Sequence, residues 1–186
     1  MLISKRRKQY VLQKLNSTKL KIYCIRLIAE KCSIYDLANV IDKLFEAWNY
    51  LLSDKTSTFN KVFTSSIKRF FIRVDDKSGL YYAYFVLICL TEYDFTMQEY
   101  KFNFVIDINW LCALYKALSP SKKLNVEKLK LDKKTIGAAM NNFFDAKTFT
   151  CRTSQDGVII SKDIEKRQLI TVHGIFDRDL SIEFER

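Results

Sequence analysis

His173 is the only imidazole in the chain. It lies in the alternating segment 169–175, with Asp177 and Asp179 following. One imidazole and two carboxylates could ligate a metal or move protons, but either task needs partners from elsewhere in the fold. A Ser/His/Asp arrangement is a further option, yet no serine sits in a Gly-flanked elbow. An ordinary structural histidine is the simpler reading. Asp75 and Asp76 are adjacent carboxylates where turn chemistry alone explains them, and Asp177 and Asp179 fit a solvated strand edge. The five cysteines, Cys24, Cys32, Cys89, Cys112 and Cys151, form no C-x-x-C pair, and no histidine completes a zinc-finger spacing. Four scattered glycines exclude the Gly-rich phosphate loops. These patterns predict neither a metal site nor a cofactor.

Segment 67–74 carries more chemistry. Arg69 and Arg73 alternate with Phe71 on one side, while Lys68, Phe70, Ile72 and Val74 share the other. Arginines around an exposed aromatic ring form a platform for phosphates and unstacked bases. Arginine stems lying over a helix-covered sheet face would give the same pattern. The formal net charge of +10 is unevenly placed. Residues 1–31 hold nine bases against one acid, whereas residues 156–186 hold seven acids against five bases. A concentrated basic end attracts polyanions, nucleic acid before anionic membrane, with an affinity that falls as salt rises. The longest apolar run, 80–90, is too short to span a bilayer. Together with an odd cysteine count and no leader-like segment, it predicts a cytoplasmic protein with no membrane partner.

The elements that must position these residues follow from periodicity. Segment 4–15 reads as a basic helix and 20–29 as a strand. Segment 34–52 is the clearest helix, with Ser33 and Asp36 as an approximate capping box and a wide apolar face from Leu37 to Leu52. A hairpin pairs 67–74 with 80–90, whose continuous apolarity marks a central strand. A short strand at 101–106 and a helix around Trp110 to Leu118 come next, the latter stopped by Pro120. Segment 122–134 reads as a basic connector leading to a helix that Asp132 can cap. After Phe149 the texture suggests strand pairs. The predicted class is α+β, a central antiparallel sheet flanked by helices.

Taken in order, these segments resemble the plasmid rolling-circle replication initiators, the Rep proteins of the HUH endonuclease superfamily. The likeness runs from about Lys5 to Phe149. It rests on Arg6-Arg7-Lys8-Gln9-Tyr10, on Asp36-Leu37 through Ala47-Trp48 and Leu51, on Ile67-Lys68-Arg69-Phe70 through Asp75, and on Trp110 to Leu118. Active members carry a His-hydrophobe-His pair that holds a divalent metal on the scissile phosphate, and a tyrosine nucleophile in a Tyr-x-x-Lys pattern. The resemblance places Ala83 and Phe85 at the histidine positions and Phe144-Asp145-Ala146-Lys147 at the tyrosine motif. None of Ala83, Phe85 and Phe144 can perform the missing role, so the resemblance implies a degenerate, non-cleaving relative.

The expectation is therefore a Rep-like domain over residues 1–149 and a C-terminal β-rich extension over 150–186, one domain or two. Its function would be to bind single- or double-stranded DNA of a plasmid or mobile element, as a replication accessory or a competitor of an active initiator. Lys5, Arg6, Arg7, Lys8, Arg69, Arg73, Lys122, Lys123 and Lys147 would contact the backbone, with no catalytic residue. Ala83, Phe85 and Phe144 are expected to converge on one dried-out cleft beneath Lys147. The alternative is a protein-interaction or self-association module exposing an apolar patch around Tyr81, Tyr84 and Phe85. An unrelated enzyme built on His173 or the C-terminal acids is the third option.

Overall fold

The computed structural model describes residues 5–53, 58–93, 126–165 and 167–176. Its elements in chain order are α1 (Lys5–Ser17), β1 (Lys21–Ile28), α2 (Leu37–Ser53), α3 (Thr58–Val62), β2 (Ser65–Val74) and β3 (Tyr81–Thr91), followed by β4 (Val126–Leu131), α4 (Ile136–Asp145), α5 (Ser154–Ile164) and β5 (Ile170–His173), with a final 3-10 turn at Gly174–Phe176. The strands form one sheet in the order β4-β1-β3-β2-β5, and every neighbouring pair is antiparallel. Because β3 runs against both β1 and β2, those two run the same way. The connection between them carries α2, which makes β1, α2, β2 and β3 a split β-α-β arrangement. The class is α+β.

Side-chain alternation divides the sheet into two faces. Tyr23, Ile25, Leu27, Phe70, Ile72, Ala83, Phe85 and Leu87 point to one face, where Leu37, Ile41, Leu44 and Trp48 of α2 cover them. Ile160 and Ile164 of α5 join that core. Ile22, Ile67, Phe71, Val86, Ile88 and Leu90 point to the other face, under Val11 and Leu15 of α1 and Ile136, Met140 and Phe143 of α4. Helix α2 forms where the spacing predicts it. The Ser33 hydroxyl accepts from the Asp36 amide at 3.3 Å and donates to its carboxylate at 2.7 Å, which holds the chain entering the helix. In the β2–β3 turn Gly79 takes φ +68°, a left-handed geometry that favours glycine. The Asp75 carboxylate accepts from the Ser78 amide and hydroxyl and pairs with Lys31 at 3.1 Å.

Two segments differ from the sequence expectation. Residues 126–131 are not a connector but edge strand β4, paired to β1. The Asp132 carboxylate then accepts from the Lys134 and Thr135 amides at 2.9 and 2.8 Å, organising the turn into α4. Residues 154–164 are helix α5, not a strand pair. Thr153 caps it by accepting from the Asp156 amide at 3.1 Å, so Gln155-Asp156-Gly157 is the first helical turn. Strand β5 pairs with β2, so the described part of 150–176 contributes a strand to the same sheet. The expected strand at 101–106 and helix at 110–118 lie outside the described residues.

Candidate nucleic-acid interface

Among the described residues, α1 and α4 cover only part of this face of the sheet. Val11 and Leu15 of α1 share a core with Ile22 and Leu90, which lie at one end of the β1–β3 pairing. At the opposite end Arg26, Phe71, Arg73, Tyr82 and Tyr84 occupy neighbouring register positions on β1, β2 and β3. Phe71 and Tyr84 stack with centroids 5.5 Å apart at 21°, and Tyr82 continues the stack onto Tyr84 at 5.7 Å and 23°. Phe71 is buried, Tyr82 and Tyr84 are half-buried and Arg26 is exposed. A groove of about 560 Å³ runs beside them between the sheet and α4, lined among others by Arg26, Arg73, Tyr84, Leu129, Lys134 and Asn142.

The two arginines around Phe71 are partly committed elsewhere. Their guanidinium carbons lie 4.7 Å (Arg69) and 4.9 Å (Arg73) from the Phe71 ring centroid. Arg69 is buried and donates to the Phe143 carbonyl and, at 2.7 Å, to the Ala146 carbonyl. Both carbonyls lie at the end of α4, where carbonyls run out of partners within the helix. Burial first, and the Arg73 charge second, lower the Arg69 pKa, but a guanidinium stays charged throughout. Arg73 donates to the carbonyls of Ile72, Thr148 and Lys147 at 2.7, 3.1 and 2.8 Å. Together they fasten residues 146–150 along β2, where Ile72 exchanges backbone bonds with Thr148 and Thr150. Arg73 stays half-buried and lines the groove.

Helix α1 brings five bases and no acid to the same face. Lys5 and Arg6 are exposed, and Arg7 and Lys8 are half-buried. Lys8 pairs with Asp145 at the end of α4, tying the basic helix to the element that Arg69 caps. Lys147 is exposed, directly after that helix end. Lys122 and Lys123 lie outside the described residues.

Ala83, Phe85 and Phe144 do not converge. Ala83 and Phe85 are fully buried beneath α2, whereas Phe144 is 5% exposed in the core on the other face of the sheet. The cause is strand parity: odd-numbered positions of β3 face α2, and α4 lies on the opposite side. The residues of β3 that face the α4 side are Tyr82, Tyr84, Val86, Ile88 and Leu90. Nor is there an apolar patch around Tyr81, Tyr84 and Phe85, since Tyr81 and Phe85 are buried and the Tyr81 hydroxyl donates to Asp156. Asp75 is engaged in its turn, and its hydrogen bonds from Ser78, with Lys31 beside it, hold its pKa down to about 2. His173 lies on β5 and lines a different cleft, on the α2 side. Among the described residues no three His, Cys, Asp or Glu side chains gather as metal ligands, and no helix is long and apolar enough to cross a membrane.

Arg26, Tyr82, Tyr84 and Lys134 were not singled out from sequence as a contact set. The signal for the tyrosines was present, because Tyr82, Tyr84 and Val86 alternate with Ala83 and Phe85. Only the pairing register could bring them beside Phe71, Arg73 and Arg26. The chain matches no protein-family model, no curated protein and no solved structure.

Proposed function

We propose that the protein binds single-stranded nucleic acid on the open end of the α1–α4 sheet face and does not cleave it. The observation that carries this reading is the stacked Phe71–Tyr84–Tyr82 column flanked by Arg26 and Arg73. Half-buried rings on a sheet present π-faces to unstacked bases, and arginines beside them take the phosphates. Helix α1 extends the positive surface on the same face. Lys5, Arg6 and Lys147, rather than Arg69, are the exposed cations suited to the backbone.

The order of elements that resembles rolling-circle initiators supports DNA as the partner. It also supports a setting on a plasmid or mobile element, as an accessory to an active initiator or its competitor. The non-cleaving part of the proposal rests on composition: one histidine cannot supply a His-hydrophobe-His pair in any register, and Phe144 has no oxygen with which to attack a phosphate. Fluorescence anisotropy with labelled single- and double-stranded oligonucleotides across a salt series tests it. Tighter binding to the single strand, weakening as salt rises, is expected. No binding at low salt, or binding indifferent to salt, overturns the proposal.

A further inference from the structure

Lys68 of β2 points to the opposite face, under α2, and is 3% exposed. Its ammonium nitrogen lies 4.4 Å from the Phe85 ring centroid, 4.9 Å from Phe45 and 5.1 Å from Trp48. No carboxylate among the described residues pairs with it. Arg167, which pairs with Asp42 and lies 5.3 Å over the Phe45 ring, and His173 on β5 line the same cleft. Rings of this kind stabilise a cation, but removal from water opposes it, and burial brings the amine down to about 7 from 10.5. A sizeable share of Lys68 is then a neutral amine near pH 7.

This amine is not sealed in the core. It lies in the wall of a cleft of about 490 Å³ between α2 and β5, together with Phe45, Trp48, Leu52, Thr171 and His173. Phe45, Trp48 and Leu52 make the α2 wall mostly apolar, with the Asn49 amide at its edge, while Thr171 and His173 on β5, with Arg167 and Gln168, bring polar groups to the other side. An amine desolvated in an apolar pocket that remains open to small molecules has the properties of a nucleophile.

We propose that this cleft is a covalent capture site in which the Lys68 amine forms an imine with a small aldehyde or ketone bearing an apolar or aromatic body. The nitrogen lone pair attacks the carbonyl carbon, the carbonyl π pair moves to oxygen, and a proton passes from nitrogen to that oxygen. The carbinolamine then loses its hydroxyl with a proton as water while the nitrogen lone pair completes the C=N bond. Amine and carbonyl give imine and water, with no change of oxidation state. The aromatic rings take the body of the ligand, and His173 can carry the proton between the two steps.

The test is reductive trapping on the full chain, with benzaldehyde as probe and cyanoborohydride as reductant, read by intact mass and peptide mapping. Near pH 7 one lysine adduct is expected, on Lys68, separate from label on the α-amino group and formed about a hundredfold faster than on ordinary surface lysines, which hold their protons at that pH. Labelling should fall as the pH drops below about 7. K68M, in which a thioether fills similar space, should lose the adduct while keeping its circular dichroism and its oligonucleotide binding. Label spread over surface lysines, an unmodified Lys68 in folded protein, or an unchanged adduct in K68M overturns the proposal. Because the two sites lie on opposite faces of the sheet, failure here leaves the nucleic-acid reading standing, and the reverse also holds.

Discussion

Two adjacent residues of β2, Lys68 and Arg69, show how one strand serves two environments. Lys68 binds fewer protons folded than unfolded between about pH 7 and 10.5, so its contribution to stability rises with pH across that window. Below about pH 7 its full cost is present, and above about 10.5 the amine is neutral in both states and the cost is gone. Replacing Lys68 with Met should therefore stabilise the fold at pH 6, by at most on the order of 3–5 kcal/mol. The gain over wild type should shrink toward zero by pH 10.5, as followed by urea unfolding at a series of pH values. Arg69 makes the opposite prediction. Its loss removes the bonds it donates to the Phe143 and Ala146 carbonyls, so Arg69→Met should destabilise by about 2–4 kcal/mol. The salt dependence of oligonucleotide binding, measured where the variant is folded, should not change. If Arg69 held a phosphate, stability would survive and the slope of log K against log salt would fall by about 0.7. Alternation in the sequence already puts these two residues on opposite sides of the strand. It does not show that Phe45, Trp48 and Phe85 surround the lysine, because two of those rings come from α2 and the third from β3.

At the scale of elements, α1 is the piece whose removal from the charge balance can be read most directly. Lys5 and Arg6 are exposed, and Lys8 is already paired with Asp145. Changing Lys5 and Arg6 together to Gln should lower the salt slope on single strands by about 1.4, or about 0.7 for each phosphate no longer neutralised. The thermal midpoint should move little, because neither side chain is part of the core. Unchanged slope would remove α1 from the interface. Helices α1 and α2 and the β2–β3 hairpin were legible in the sequence because their periods are long and their caps and turns carry chemical signatures. Strand β4 and helix α5 were not. Val126, Leu129 and Leu131 do not alternate strictly, and β4 is a strand only because β1 offers it a partner. Gln155-Asp156-Gly157 has turn composition, and only the Thr153 cap and the packing of Ile160 and Ile164 into the α2-side core make it helical. The site was legible to a smaller extent. The basic helix and the Arg-Phe-Arg alternation could be read from residue types, whereas the groove depends on the register among three strands.

For the whole molecule, the sheet acts as a partition. Tyr82 and Tyr84 open to one side and Lys68 to the other, with the fully buried Ala83 and Phe85 alternating with the tyrosines along β3. A closely packed sheet of this kind can hold two sites that do not compete for space, and residues without shared partners contribute to binding additively. Tyr82→Ala with Tyr84→Ala should weaken single-strand binding about 30-fold or more, at about 1–3 kcal/mol for each base stacked, and should affect duplex binding much less. Adding Lys68→Met to that pair should leave the loss unchanged, and the tyrosine variant should still form the Lys68 adduct. Anisotropy on the tyrosine pair, on Lys68→Met and on their combination, with trapping on the tyrosine pair, measures both terms in one set of proteins. A loss that deepens when Lys68 is changed would mean that the strand transmits strain through Arg69, its neighbour on β2. The end of α4, which Arg69 holds and which borders the groove, would then be the element that links the two faces.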